Sequence, residues 1–322
     1  MTTRRLRAEN PAAIADAAAL LRAGALVAFP TETVYGLGAD ATDPSAVVRI
    51  YEAKERPRFN PLIAHLPDVA AARVQGLLDD PARRLAEAFW PGPLTLVVPR
   101  APEGTVCDVA RAGLDTVALR VPAHPVAHAL LMAAERPIVA PSANRSGRVS
   151  PTAADHVLDD LDGRIAAVLD GGETRVGVES TIVACIDGTP RLLRPGGVPR
   201  AALEVVLGTP LAGSREDEGV RAPGMLASHY APRARVRLDA AEIRDGEAAL
   251  LFGGAEPEGL ARAVATLNLS PRGDLAEAAA RLFGALRRLD ASGAATIAVA
   301  PIPGHELGEA IRDRLARAAA ER

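Results

Sequence analysis

Across residues 1–208 of this 322-residue chain, short apolar runs alternate with stretches of helical periodicity. The runs are residues 25–29, 61–66, 94–98, 116–121 and 138–140, with later ones at 166–169, 181–186 and 191–194. Runs this short suit buried strands and are too brief for helices. Between them, Asn10-Pro11 and Asp43-Pro44 each join a capping side chain to a proline at the first helical position. After Asn10, Ile14, Ala17, Ala18 and Leu21 recur at helical spacing and Gly24 ends the helix; after Asp43, Val47, Val48, Ile50 and Tyr51 lead to Lys54. Further helices are expected ending near Phe89, after Pro125, after Pro151-Thr152 and over residues 199–207. The alternation commits this part to a sheet layered with helices, α/β or α+β, of ordinary domain size.

The pattern fails from Gly208 to about Arg235, where polar residues and Pro/Gly pairs punctuate the chain. Met225, His229 and Tyr230 sit inside this segment, which suits a strap folded over something better than a free tether. Strands at 248–252 and 296–300, a helix over 274–289 and another after Gly304 form a small βαβ-type unit. The expected division is therefore 1–208, a linker or lid at 209–235, and 236–322.

Composition narrows the function. Net charge is −3 and aromatics are only 3%, so neither a basic field nor stacking platforms point to stable nucleic-acid binding. Cys107 and Cys185 form no CxxC pattern and read as small hydrophobes in a reducing compartment. The basic N-terminus is followed by no apolar leader, and no run nears ~20 apolar residues. No membrane span and a cytoplasmic location are expected.

Thirty-six of the 37 basic residues are arginine, and Lys54 is the lone lysine. In a chain that uses arginine wherever either cation serves, it marks a place for a compact ammonium. Asn60, one of four asparagines, lies close by, and Pro57 and Pro61 stiffen the loop carrying Arg56 and Arg58. Three such cations are commonly a solvated face; the two scarce residues turn the reading toward a multiply charged anion. No Gly-Lys-[Ser/Thr] exists, so a P-loop is excluded.

Residues 30–38, Pro-Thr-Glu-Thr-Val-Tyr-Gly-Leu-Gly, follow the first long strand and read equally as a tight turn or a ligand-facing loop. Ser142 and Asn144 follow another strand. Ser150 precedes a helix start, as a plain N-cap or as part of an anion site. Arg120 ends an apolar strand, where it snorkels or pairs with a carboxylate of the protein or of a ligand. Glu179-Ser180-Thr181 opens one strand and Arg194-Pro195-Gly196-Gly197 closes the next. His124, His128 and His156 read as filler, and no histidine spacing makes a metal site.

These segments, in this order, resemble the YrdC-like threonylcarbamoyl-AMP synthases, and Ser228-His229-Tyr230-Ala231-Pro232 with the extension resembles the longer two-domain form. The resemblance implies an α/β fold: a twisted mixed sheet with a concave basic cavity, plus a small Rossmann-like C-terminal domain. It implies a nucleotidyltransferase making threonylcarbamoyl-AMP and pyrophosphate from L-threonine, bicarbonate and ATP, for a downstream tRNA threonylcarbamoyl transferase. By the same resemblance Lys54, Arg56, Ser142 and Asn144 form the catalytic phosphate cluster. Arg56, Asn60, Thr116, Ser142, Ser150, Arg194 and Tyr230 hold ATP, and Thr33, His65, Arg120, Ala140 and Ser180 hold threonine. Mg²⁺ would ride mainly on phosphate oxygens and water, with no dedicated protein metal site. An RNA-binding or ribosome-assembly module using the same cavity is the alternative. Hydrogenase-maturation proteins share the fold, but their zinc-finger cysteines are absent here.

Overall fold

The computed structural model describes residues 2–57, 60–213 and 229–320. Arg58 and residues 214–228 of the expected linker, Met225 and Ser228 included, lie outside the described residues.

The first part is one mixed sheet. Its strands are β1 (Arg4–Arg7), β2 (Val27–Pro30), β3 (Tyr35–Asp40), β4 (Ile63–His65), β5 (Leu94–Pro99) and β6 (Thr116–Arg120). They continue with β7 (Ile138–Val139), β8 (Ala167–Asp170), β9 (Thr181–Ala184), β10 (Arg191–Arg194) and β11 (Ala212–Gly213). The order is β1-β8-β2-β3-β7-β4-β6-β5-β9-β10-β11. Parallel and antiparallel neighbours alternate irregularly: β4 runs parallel to β6, and β7 antiparallel to both β3 and β4. Helices cover the sheet. α1 (Pro11–Arg22) is capped by the Asn10 side chain and α2 (Pro44–Lys54) by Asp43, as the Asx-Pro pairs demand. α2 ends where Glu55 turns left-handed (φ 55°), leaving Lys54 in its last turn. Between α2 and the sheet lies the main core, including Leu37, Val47, Ile50, Leu96 and Leu119. α1 packs with α6 (Pro125–Ala134) over the neighbouring strands, the short α5 (Asp108–Arg111) packs on α2, and α8 (Arg200–Leu207) follows β10.

Several elements depart from the sequence reading. Residues 35–40 form a central strand where a turn or loop was expected; its two glycines depress strand propensity, but sheet neighbours on both sides decide the matter. β1, Arg-Arg-Leu-Arg, shows no apolar alternation and is held at the sheet edge by parallel pairing to β8. The helical stretch ending near Phe89 is two helices, α3 (Val69–Gln75) and α4 (Asp80–Phe89), separated around Gly76. Helix α7 (Ala154–Leu161) starts four residues beyond Ser150, with Ala153 at its N-cap and no side-chain cap. Ser150 is therefore neither an N-cap nor at a helix N-terminus. His124 is more than filler: its ring caps α6 by accepting from the Val126 amide at 3.2 Å.

The second sheet holds β12 (Arg235–Arg237), β13 (Ala248–Leu251), β14 (Ala265–Asn268) and β15 (Thr296–Val299), all parallel, in the order β12-β15-β13-β14. α9 (Leu275–Asp290) and α10 (Leu307–Ala319) pack against it; two of the strands, β12 and β14, had no clear sequence signal. Its core takes in Val34, Val149 and Val178 from the first sheet's side, so the two units share apolar packing. No helix among the described residues is long and apolar enough to cross a membrane.

Candidate functional site

β4 and β6 run parallel with His65 opposite Arg120, which puts both at the carboxyl ends of adjacent strands, where open α/β sheets commonly bind ligands. Ala140 follows β7 on the other side of β4, its amide donating to Ile63 O at 3.0 Å. Thr33 sits in the β2–β3 connection, where Thr31 Oγ1 and Thr33 Oγ1 share a 2.8 Å hydrogen bond. Around these ends closes a cavity of about 40 Å³, whose walls include Thr33, His65, Arg120, Ala140, Ser142, Ser180, Arg194 and Tyr230. Eight residues singled out from sequence thus meet in one place.

Arg120 is buried and already has a protein carboxylate: Nη2 donates to Glu32 Oε1 and to Thr33 Oγ1, both at 2.8 Å. Its Nε is buried without a partner among the described residues, a donor left for an incoming acceptor. Glu32 is a site residue the sequence reading quoted but gave no role; a buried arginine implies such a carboxylate, though nothing local tells which one. His65 is pushed down to about 3 by burial and the Arg120 cation, so its imidazole is neutral. Ser180 Oγ bonds Thr95 Oγ1 at 2.7 Å, and Arg194 Nη2 reaches Ser180 O at 2.8 Å. Gly196 lets this corner close: a Cβ there would lie 2.4 Å from Glu179 O and Ser180 C.

The phosphate cluster assembles differently from the expected side-chain arrangement. Lys54 is buried and donates to backbone carbonyls, Ser142 O at 2.5 Å and Asn144 O. Two of its three protons are thereby used. Burial, then the Arg56 cation, pull its pKa well below the ordinary lysine value. The Asn144 amide NH₂ turns to Arg145 O and Arg148 O at 2.8 Å, leaving Oδ1 buried and unpartnered among the described residues. Arg56, pushed down to about 10 by burial, makes only long contacts to Asn60 O and Pro61 O. Its Nε and both side-chain polar atoms of Asn60 have no partner among the described residues. A buried cation next to orphaned donors and acceptors is poised for a polar, anionic occupant.

Six of the residues expected at the site lie off this cavity's wall: Lys54, Arg56, Asn60 and Asn144 of the cluster just described, and Thr116 and Ser150. Thr116 shares a face of β6 with Arg120 but stands four residues back, about 13 Å along the strand. Ser150 reaches the site indirectly, donating to Glu179 Oε1 at 2.5 Å.

The remaining wall comes from the end of the linker. His229 and Tyr230 are both buried, their rings 4.1 Å apart, and Tyr230 stacks on Phe283 of α9 at 5.6 Å. Burial, against the nearby Glu179 charge and with the cluster's cations, pushes His229 down to about 3. Arg314 of α10 donates from Nε to Glu179 Oε2 at 2.7 Å; sequence offered no signal for it, since it is one arginine among many on an amphipathic helix. At about 40 Å³ the cavity has room for only a few waters between these groups.

Comparison with known proteins follows the same lines. Residues 19–196 match the Sua5/YciO/YrdC family model, described as telomere recombination, and residues 198–320 match a model described as the threonylcarbamoyl-AMP synthase C-terminal domain. Threonylcarbamoyl-AMP synthase of Bacillus subtilis is 43% identical over 328 residues, covering 97% of this chain and 94% of its own length. That of Pyrococcus abyssi is also 43% identical, over 95% of this chain and 94% of its own. The crystal structure of P. abyssi Sua5 complexed with L-threonine superposes with a TM-score of 0.89 at 40% identity, covering 99% of this chain and 98% of that one.

Proposed function

The chain belongs to the Sua5/YciO/YrdC family in its two-domain, threonylcarbamoyl-AMP synthase form, and on that premise we propose that it is an L-threonylcarbamoyladenylate synthase. Its substrates are L-threonine, bicarbonate and ATP, and its products threonylcarbamoyl-AMP and pyrophosphate. The observation that carries the reading is the cavity at the ends of β4 and β6, with Thr33, His65, Arg120 and Ser180 in its wall and Arg120 Nε buried without a partner among the described residues.

Threonine's α-carboxylate is the natural acceptor for Arg120 Nε, with Thr33, His65, Ala140 and Ser180 around it. Its amine takes up bicarbonate, losing water, to give a carbamate. A carbamate oxygen then bonds the α-phosphorus of ATP as the bond from that phosphorus to pyrophosphate breaks. No protein nucleophile is needed, so positioning and charge neutralisation carry the rate. The nucleotide extends from this point along the sheet face toward Thr116. Its phosphates lie against Lys54, Arg56, Ser142 and Asn144, with Asn60, Arg194 and Ser150 supporting. The third Lys54 proton is an available donor, as are Arg56 Nε and the Asn60 amide NH₂, which have no partner among the described residues; phosphate oxygens would restore the ammonium that burial disfavours.

Mg²⁺ would enter with the nucleotide, bound mainly to phosphate oxygens and water, where it would offset their charge. Residues 209–235 act as a lid, Tyr230 closing over the nucleotide. Excluding water there protects a carbamate that bulk water would decompose. Cytoplasmic work and delivery of the product to a tRNA threonylcarbamoyl transferase belong to the same reading.

The test is pyrophosphate release from ATP by the purified chain, with and without threonine and bicarbonate. Release that requires both supports the proposal; release indifferent to threonine overturns it.

A further inference from the structure

Arg314 is among the largest fully buried side chains, yet it lies on α10, in the part of the chain that supplies none of the substrate-binding residues proposed above. A buried cation is tolerated only when paired, and its partners here are telling. Nε donates to Glu179 Oε2 at 2.7 Å, and the other Glu179 oxygen accepts from Ser150, a residue proposed to support the nucleotide. The guanidinium carbon stands 5.2 Å from the centre of the Tyr230 ring, within cation–π range. Nη1 donates to Asp313 Oδ2 at 2.6 Å, Asp313 also accepts from Arg317 Nε at 3.0 Å, and Arg317 O accepts the His229 amide at 3.2 Å. One turn of α10 therefore holds Glu179, Tyr230 and His229 together. A pair that only docked two domains would need no aromatic partner from the cavity wall.

We propose that Arg314 is a positioning residue of the nucleotide site, fixing the Glu179 carboxylate and the Tyr230 ring in the cavity wall without touching substrate. The proposal rests on the synthase reading and deepens it, by giving the C-terminal domain a defined contact through which it supports catalysis.

The experiment uses the full chain with Arg314→Met and Arg314→Lys. The readouts are KM for ATP, threonine affinity by calorimetry without nucleotide, and hydrogen exchange at the His229 and Ala231 amides, which bond Arg317 O and Gly147 O. Arg314→Met should raise KM for ATP about tenfold or more, keep threonine affinity within about threefold, and speed exchange at both amides. Arg314→Lys retains the charge beside Glu179 but not the planar contact with Tyr230, so its KM for ATP should fall between the two. Equal losses toward both substrates would overturn the proposal, as would unchanged KM or a raised KM with unchanged exchange. Should Arg314→Met fail to fold, the KM and exchange of Arg314→Lys decide. A wild-type chain without threonine-dependent turnover would sink the synthase reading, while the exchange data would still judge the Arg314 contact.

Discussion

Lys54 shows what a single residue type can and cannot announce. Its scarcity pointed to a needed ammonium, and it does sit with the 142–144 loop, but through backbone carbonyls instead of the side chains expected. A guanidinium is larger and flat, and the Lys54 side chain it would replace is buried. Lys54→Arg should therefore cost about 1–3 kcal/mol in stability by overpacking. It should also lower threonine-dependent pyrophosphate release by roughly 10²-fold or more, from lost positioning. Thermal melts and turnover assays would check both, and a harmless substitution would mean that coding bias alone explains the lone lysine. The histidines give a second expectation. His65 and His229 are neutral in the folded chain, both held near 3. Unfolded, each would bind a proton below about pH 6.5. The unfolded state then carries more protons between pH 6.5 and 3, so stability falls as pH falls through that window, by roughly 1.4 kcal/mol per unit for each histidine. Denaturant melts at pH 7 and pH 5 should show this, and His229→Gln should flatten part of the slope.

At the scale of elements, legibility tracked local chemistry. Asn10-Pro11 and Asp43-Pro44 encode their helix starts because cap and proline act within one turn. β3 and β1 did not announce themselves, because a glycine-rich or arginine-rich strand exists only through its neighbours. The reading of Ser150 as a helix start failed for a related reason: the serine, buried and facing Glu179, serves a partner 29 residues away and not the helix that follows. Gly196 offers the sharpest test at this scale. Gly196→Ala would push a methyl into the Glu179–Ser180 backbone, so Ser180 and Arg194 must shift apart. The expected outcome is a loss of about 1–3 kcal/mol in stability and a weaker threonine affinity, measured by melts and calorimetry.

For the whole molecule, the second sheet is bound to the first by more than a tether. Arg200–Glu309, Arg287–Asp160 and Arg314–Glu179 cross between them at 2.6, 2.7 and 2.7 Å, and Val34, Val149 and Val178 complete the second core. Gly177, left-handed at φ 77°, permits a close approach in which a Cβ would come within 2.3 Å of Ala279 O on α9. Ending the chain at Gly208 should therefore expose that apolar patch, strand the buried Glu179 charge and remove Tyr230. Turnover should fall at least about 10²-fold and the fragment should aggregate more readily. A soluble, fully active 1–208 fragment would show the second domain to be dispensable.

The sequence alone determined the strand and helix alternation, the separate C-terminal unit, and the motif set that marks the family, because each depends on residues near one another in the chain. Only the tertiary structure decided that Lys54 faces carbonyls, that Glu32 answers Arg120, and that Arg314 closes the site from the far domain. Those contacts span about ninety residues or more, and a buried charge takes whichever partner the packed fold brings within reach.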